Sequence, residues 1–384
     1  MLANAQCSAL FGLGDPLASL QLWPSFTGEV IAIPSLRAQS VTHLLKPAEL
    51  EERRRTPMHA VTPQRSQSIL PSDAAAFARP HDFIRVAEGR LAYWRFGSGP
   101  DVVLIHGWPV HAATFRKIVP ALSKQFTLHL FDLPGSGQTH WSGRIDFPSH
   151  VAAIRGAIDA LGLTSHAILA HDSGGVTARL LAADDPRVFG LILGNTEIPG
   201  HHPPVVKLYA WISKHPSLSA LVLKSMRIRA VRRSPLGFGG VFTDRAYVDG
   251  EFGDLFVRPL LASNELAEAQ LELFRNLDFA MLDGLAAVHR RILAPVLCIW
   301  GTEDPFFPIG KARRMLEQFA GGAELVEIEQ AKLFTHEDHP EAFAAHAATF
   351  LTQCFASKGS NSTSVSAGSS TKPAVQQNSS RYQT

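Results

Sequence analysis

Ala170-His171-Asp172-Ser173-Gly174-Gly175 is the stretch from which the rest of the chain can be read. It follows the apolar run His166-Ala167-Ile168-Leu169-Ala170 and marks a strand that turns directly into a helix. Such a turn is sharp and strained. It can display a reactive side chain only when the residues two before and two after that side chain are small. With Asp172 at the centre, the flanks are Ala170 and Gly174 and the rule is met. With Ser173 at the centre, they are His171 and Gly175 and the rule fails. The string Asp-Ser-Gly-Gly is therefore read with Asp172 at the tip. The backbone N–H of Ser173, one residue on, is then placed as an oxyanion donor.

The same rhythm extends on both sides. Val102–Ile105, Thr127–Phe131, Phe189–Leu193, Pro295–Trp300 and Glu324–Ile328 are further short apolar runs. Continuous apolar strands separated by helices imply a mostly parallel sheet covered on both faces, an α/β architecture. Val151, Ile154, Ile158 and Leu161 share one helical face and define a crossover helix. Phe83–Phe96 alternates and ends at Gly97-Ser98-Gly99-Pro100, which predicts an antiparallel hairpin leading into the sheet. From about Pro199 to His289 the strand rhythm stops. An insertion of about 90 residues there reads as a helical cap over the strands' C-terminal edge, where open α/β sheets bind ligands.

Two more loops leave strand ends. In His106-Gly107-Trp108-Pro109 the glycine lets the backbone approach a substrate oxygen, and the N–H of Trp108 becomes a second oxyanion donor. In Trp300-Gly301-Thr302-Glu303-Asp304-Pro305, Asp304 is placed to orient a histidine base.

Composition bounds the remaining readings. The 384 residues are 46% hydrophobic, enough for one large core plus an insertion, and a net charge of +2 gives no general reason to expect nucleic acid. Cys7, Cys298 and Cys354 are far apart and odd in number. They are read as reduced thiols of a cytoplasmic protein, with neither a disulfide framework nor a zinc site. No apolar run reaches the roughly 18 residues of a membrane helix. The expected organisation is an extension over 1–80, disordered at least to 57, with Met58 an alternative start. Core segments follow over 81–198 and 291–356, with the cap over 199–290 between them. The tail, 357–384, is polar and expected to be disordered, and its triplets at Asn361 and Asn378 are chance features of such a composition. Lys224, Arg227, Arg229, Arg232 and Arg233 crowd one part of the cap. They could draw in acidic substrates, but a solvated helix face is the preferred reading.

With these residues in hand, the chain resembles the capped α/β-hydrolase-fold enzymes of the epoxide hydrolase and haloalkane dehalogenase group over roughly Asp82 to Phe355. The carriers are His106-Gly107-Trp108-Pro109, Asp132 with Gly135 and Gly137, His171-Asp172-Ser173-Gly174-Gly175, and Gly301-Thr302-Glu303-Asp304-Pro305. The resemblance implies a cofactor-independent, metal-free hydrolase. Asp172 would attack an sp³ carbon and form an ester, and a histidine-activated water would then cleave it. It also implies a small-molecule substrate, an epoxide first and a haloalkane second, met by His106, Trp108, His171, Tyr209 and Tyr247. A homodimer is compatible with it.

The family's histidine sits after the last strand, and counted from Pro340 its place here is held by Leu333. His336, three residues on, is the provisional base and His339 a weaker one. His201 and His202 read as cap loop residues. Glu197 stands where some dehalogenases keep the orienting acid, although Asp304 fits that role more completely. If Leu333 fills the base's place, ester hydrolysis is slow, or the protein is a small-molecule binder. A serine esterase would need Ser173 to act from the wrong side of the turn.

Overall fold

The computed structural model describes the backbone of residues 74–366 and the side chains of residues 74–357. Expectations for the segment before residue 74, for Cys7 and Met58, and for Asn361 and Asn378 concern residues or side chains outside those described.

Among the described residues, nine strands form one sheet: β1 (Asp82–Val86), β2 (Gly89–Phe96), β3 (Asp101–Ile105), β4 (Thr127–Phe131), β5 (His140–Trp141), β6 (His166–His171), β7 (Val188–Gly194), β8 (Val296–Gly301) and β9 (Ala323–Ile328). Their order is β1-β2-β4-β3-β6-β7-β8-β9, with β5 paired to β2 off that path. Every pairing along the path β4-β3-β6-β7-β8-β9 is parallel, while β1–β2, β2–β4 and β2–β5 are antiparallel. The sequence explains which strands are central. Every residue of β4, β6 and β8 is buried, as helices on both faces require, whereas edge strand β9 exposes Glu324 and pairs Glu327 with Arg313.

The hairpin carries a correction. The core begins before residue 81, because the short helix Ala74–Phe77 buries Phe77 against Trp94 and Phe96, with ring centroids 5.8 and 5.4 Å away. Phe77 covers one face of β2, so β2 is buried on both faces although it lies near the sheet edge. At the other end, the last helix runs from Pro340 to Ser366 rather than stopping at Ala356. Residues 357–366 are therefore helical, where sequence composition suggested disorder.

Between β7 and β8 the chain runs through helices Pro204–Ile212, Pro216–Ser225, Arg229–Arg232, Arg258–Ala262, Asn264–Arg275 and Phe279–His289. Ser263 and Asp278 start the last two by accepting hydrogen bonds from the amides of Leu266 and Ala280. The arginine cluster has a local partner: Arg229, Arg232 and Arg233 all pair with Asp249. Strands β3, β6, β7 and β8 end at Ile105, His171, Gly194 and Gly301, so the loops after them gather along one sheet edge, against these helices.

Candidate active site

Asp172 sits at that edge with φ 49°, a left-handed conformation that costs a non-glycine residue on the order of 1–3 kcal/mol. The neighbouring backbone holds it there. Its N–H donates to the carbonyls of Gly194 (3.2 Å) and Asn195 (3.0 Å), and its own carbonyl accepts from Gly175 N–H (2.7 Å) and the Thr196 hydroxyl (2.8 Å). Ser173, with φ −57°, already belongs to the start of the helix Gly174–Asp184. Two glycines make room for the turn. A Cβ on Gly107 would run into the Asp172 carboxyl, and one on Gly174 into the carbonyls of Ile105 and His106.

Trp108 N–H donates to Asp172 Oδ2 at 2.9 Å, and the neighbouring Ser173 amide also favours the ionised carboxyl. Burial, and next the charge of Glu197, nevertheless push the acid up to about 8. Asp172 and Ser173 lie on the floor of a pocket whose walls are largely apolar, including Phe147, Leu223, Phe238, Leu260 and Phe274. Trp108 lies in the wall, with its indole N–H donating to the Gln270 carbonyl at 3.2 Å and its ring edge-on to Phe274 at 4.7 Å.

Asp304 is buried and fully engaged, but with no histidine. Its Oδ1 accepts from the N–H groups of Phe306 (2.7 Å) and Phe307 (3.0 Å), and its Oδ2 accepts from the Asn195 amide at 2.6 Å. Asn195 in turn accepts from Thr335 Oγ1 at 2.6 Å. Burial raises Asp304 to about 6.

His336, expected as the base, is not among the residues lining the pocket. It is fully buried, with Nε2 2.8 Å from Thr114 Oγ1 and its ring packed on His171, Phe115 and Phe343. The short helix Thr335–Asp338 turns its side chain into the core, and burial holds it well below its ordinary pKa. Leu333 lines the pocket in its stead.

Three of the expected substrate contacts are also placed elsewhere. His106 is buried, and its Nε2 accepts from Leu133 N–H (2.9 Å), which ties two loops together. His171 is buried and spends Nε2 on the Leu333 carbonyl at 2.9 Å. Tyr247 joins a buried ionic cluster, receiving a 2.6 Å bond from Arg116 and donating to Glu337 at 2.9 Å. Tyr209 does line the pocket, but its hydroxyl donates to the Leu236 carbonyl at 2.5 Å.

The pocket also contains residues that sequence reasoning undervalued. Glu197 lines it, with Oε2 2.8 Å from Thr196 Oγ1 and 3.8 Å from the buried Arg179 guanidinium. Its carboxyl is raised chiefly by burial. His202 lines it too, paired through Nε2 with Asp283 at 2.9 Å, while its buried Nδ1 has no hydrogen-bond partner. His201 bonds the Phe306 carbonyl and Lys311 at 2.8 Å each. The available signal was the polar string Asn195-Thr196-Glu197, which directly follows the apolar strand β7. Arg179 gave none, since in sequence it is one polar residue in a helix. Among the described residues, no group of three His, Cys, Asp or Glu side chains is arranged to hold a metal ion, and no helix is long and apolar enough to cross a membrane.

Residues 102–346, more than half of the chain, match the Alpha/beta hydrolase family. A pimeloyl-[acyl-carrier protein] methyl ester esterase of Aeromonas hydrophila is 36% identical over 126 residues, which are 29% of this chain and 47% of that relative. The chain thus spans about half of that relative's length. Haloalkane dehalogenase 2 of Mycobacterium tuberculosis is 27% identical over 270 residues, 67% of this chain and 90% of that one. The solved epoxide hydrolase CorEH superposes with a TM-score of 0.62 at 21% identity, covering 71% of this chain and 98% of that structure. The α/β-hydrolase fold is shared, and the resemblance to the epoxide hydrolase and haloalkane dehalogenase group holds.

Proposed function

Because the chain belongs to the alpha/beta hydrolase family, we propose that it is a hydrolase that opens an apolar epoxide through an ester formed on Asp172. The observation that carries this reading is the Asp172 carboxyl itself. It is displayed on a left-handed turn at the floor of an apolar pocket, with Oδ2 bonded to the Trp108 N–H. The other oxygen attacks a ring carbon, the C–O bond breaks, and an ester remains on the enzyme. When water attacks the ester carbonyl, charge grows on the oxygen that the Trp108 N–H already holds, and the Ser173 amide next to it supplies the second donor to the tetrahedral intermediate.

An epoxide is favoured over a haloalkane for a local reason. A departing halide needs N–H donors in the pocket. The Trp108 indole N–H is committed to Gln270, and a serine, not an aromatic donor, follows Asp172. Among the described residues, the thiols of Cys298 and Cys354 are free and buried, which suits a reducing, cytoplasmic setting. A second reading, a small-molecule binding protein, is favoured by one observation: Leu333 stands in the pocket while His336 is turned away from it.

The test is to incubate the protein with apolar epoxides and follow diol release and intact protein mass together. Diol formation, or a mass gain mapped to Asp172, that is absent from Asp172→Asn supports the ester mechanism. Reversible binding that leaves no adduct and no product supports the binder.

A further inference from the structure

With His336 turned into the core, ester formation and cleavage lack an evident proton donor and acceptor. Both candidate tyrosines are occupied. Tyr209 donates to the Leu236 carbonyl, and Tyr247 donates into the Arg116–Glu337 cluster. Glu197 remains, a carboxyl lining the same pocket as Asp172.

One hydroxyl links the Glu197 carboxyl to the Asp172 backbone. Thr196 Oγ1 stands 2.8 Å from the Asp172 backbone carbonyl and 2.8 Å from Glu197 Oε2, and it accepts from Arg179 Nη2 at 3.0 Å. A hydroxyl has one proton to give. If Thr196 donates to the carbonyl, which can only accept, the short contact to Oε2 requires a proton on Glu197. We infer that Glu197 is the general acid and base of this site: it gives its proton to the epoxide oxygen as Asp172 attacks, then as carboxylate takes a proton from the hydrolytic water. The inference rests on the proposed ester mechanism.

The steps balance. The ionised Asp172 oxygen bonds to a ring carbon, the C–O bond breaks with its electron pair on oxygen, and that oxygen takes the Glu197 proton. Esterification removes the Asp172 charge, so Glu197 is free to stay ionised beside Arg179. It accepts a proton from water as the water oxygen bonds to the ester carbonyl carbon. The tetrahedral adduct collapses, and the carboxylic proton left on Asp172 passes to the departing alkoxide. Epoxide and water become diol, Asp172 is again a carboxylate, and Glu197 again carries its proton.

The experiment compares 1,2-epoxyoctane, whose oxygen needs a proton, with 1-bromooctane, whose bromide needs none. Ester formation on Asp172 and its decay are followed by quenched-flow peptide mass spectrometry in the wild type, Glu197→Gln, Glu197→Asp and His202→Ala. Glu197→Gln is expected to take up bromooctane at least as fast as the wild type, because loss of the Glu197 charge favours ionised Asp172, to react with the epoxide about 100-fold more slowly than the wild type, and to retain either ester. Glu197→Asp should recover part of the hydrolysis, which a purely structural role would not produce. Wild-type epoxide reaction and ester decay in Glu197→Gln would overturn the inference while leaving Asp172 as nucleophile. So would ester decay lost in His202→Ala instead, which would assign the base to the His202–Asp283 pair. Neither adduct nor product in the wild type from either probe would remove the ester mechanism, and this inference with it.

Discussion

Two polar clusters flank the loop from Lys332 to His336, and they solve the problem of buried charge in opposite ways. Behind the loop, Arg116 bonds Glu337 at 2.6 Å and Glu251 at 2.7 Å, Lys117 stands 3.4 Å from Glu337, and Tyr247 and Thr114 take up remaining bonds. Charges there are matched and close. In front of the loop, Asp172, Glu197 and Asp304 crowd together, and the nearest ion pair is Arg179 to Glu197 at 3.8 Å. Acid there exceeds base, and all three carboxyls are raised. A matched cluster leaves no buried charge uncompensated and is costly to break, whereas an unmatched one stores acidity that chemistry can use.

The largest expected effect breaks the matched cluster. Glu337→Ala leaves the buried Arg116 guanidinium without its closest partner and should lower stability by about 3–5 kcal/mol, read from a denaturant titration. Asp172 alkylation measured at low temperature on the folded fraction should be preserved. A variant with unchanged stability would show that the cluster is not the structural anchor described.

Next, Leu333→His puts an imidazole at the pocket wall and should speed ester decay by about 100-fold. The gain requires Asp304 to exchange its Asn195 partner for the new ring. No gain would mean that the Asn195–Asp304 bond, 2.6 Å long, cannot be broken locally.

A smaller effect follows from pH. An acid raised to about 8 is mostly protonated at pH 7, so alkylation by 1-bromooctane, which needs no proton from Glu197, should rise about tenfold between pH 7 and 9 and then level. A flat profile would contradict the crowding of carboxyls. The same shift has a stability consequence. Since the folded value lies above the unfolded one, native Asp172 favours its proton, and its contribution to stability is lost as pH rises through about 8. Asp172→Asn should therefore raise Tm at pH 9 and lose that advantage below about pH 4, which calorimetry at the two pH values checks. Last, His336→Gln, which removes a buried ring that does not line the pocket, should change ester decay by less than about threefold once folding is equal.

The sheet was legible because buried parallel strands are written as unbroken apolar runs, and the position of Asp172 because a sharp turn excludes large flanking side chains. The partners of Asp172 were harder to read. His336 is one residue past Thr335, and helical geometry at that point decides whether its ring faces pocket or core. No spacing rule distinguishes these faces in a four-residue helix. Asn195 bonding Asp304 and Arg179 facing Glu197 are long-range contacts between residues that carry no local motif. Phe77 lay in a stretch read as extension because its partners Trp94 and Phe96 are on a strand whose second face looked exposed.

The ester mechanism requires Asp172 to be the residue that bonds to substrate. Peptide mass mapping after exposure to 1,2-epoxyoctane in ¹⁸O-water tests it directly. The prediction is an octane-diol ester on Asp172 at short times, and ¹⁸O in the Asp172 carboxyl once the ester has been cleaved. An adduct on Ser173, or diol carrying ¹⁸O from the first turnover with none in Asp172, would contradict it.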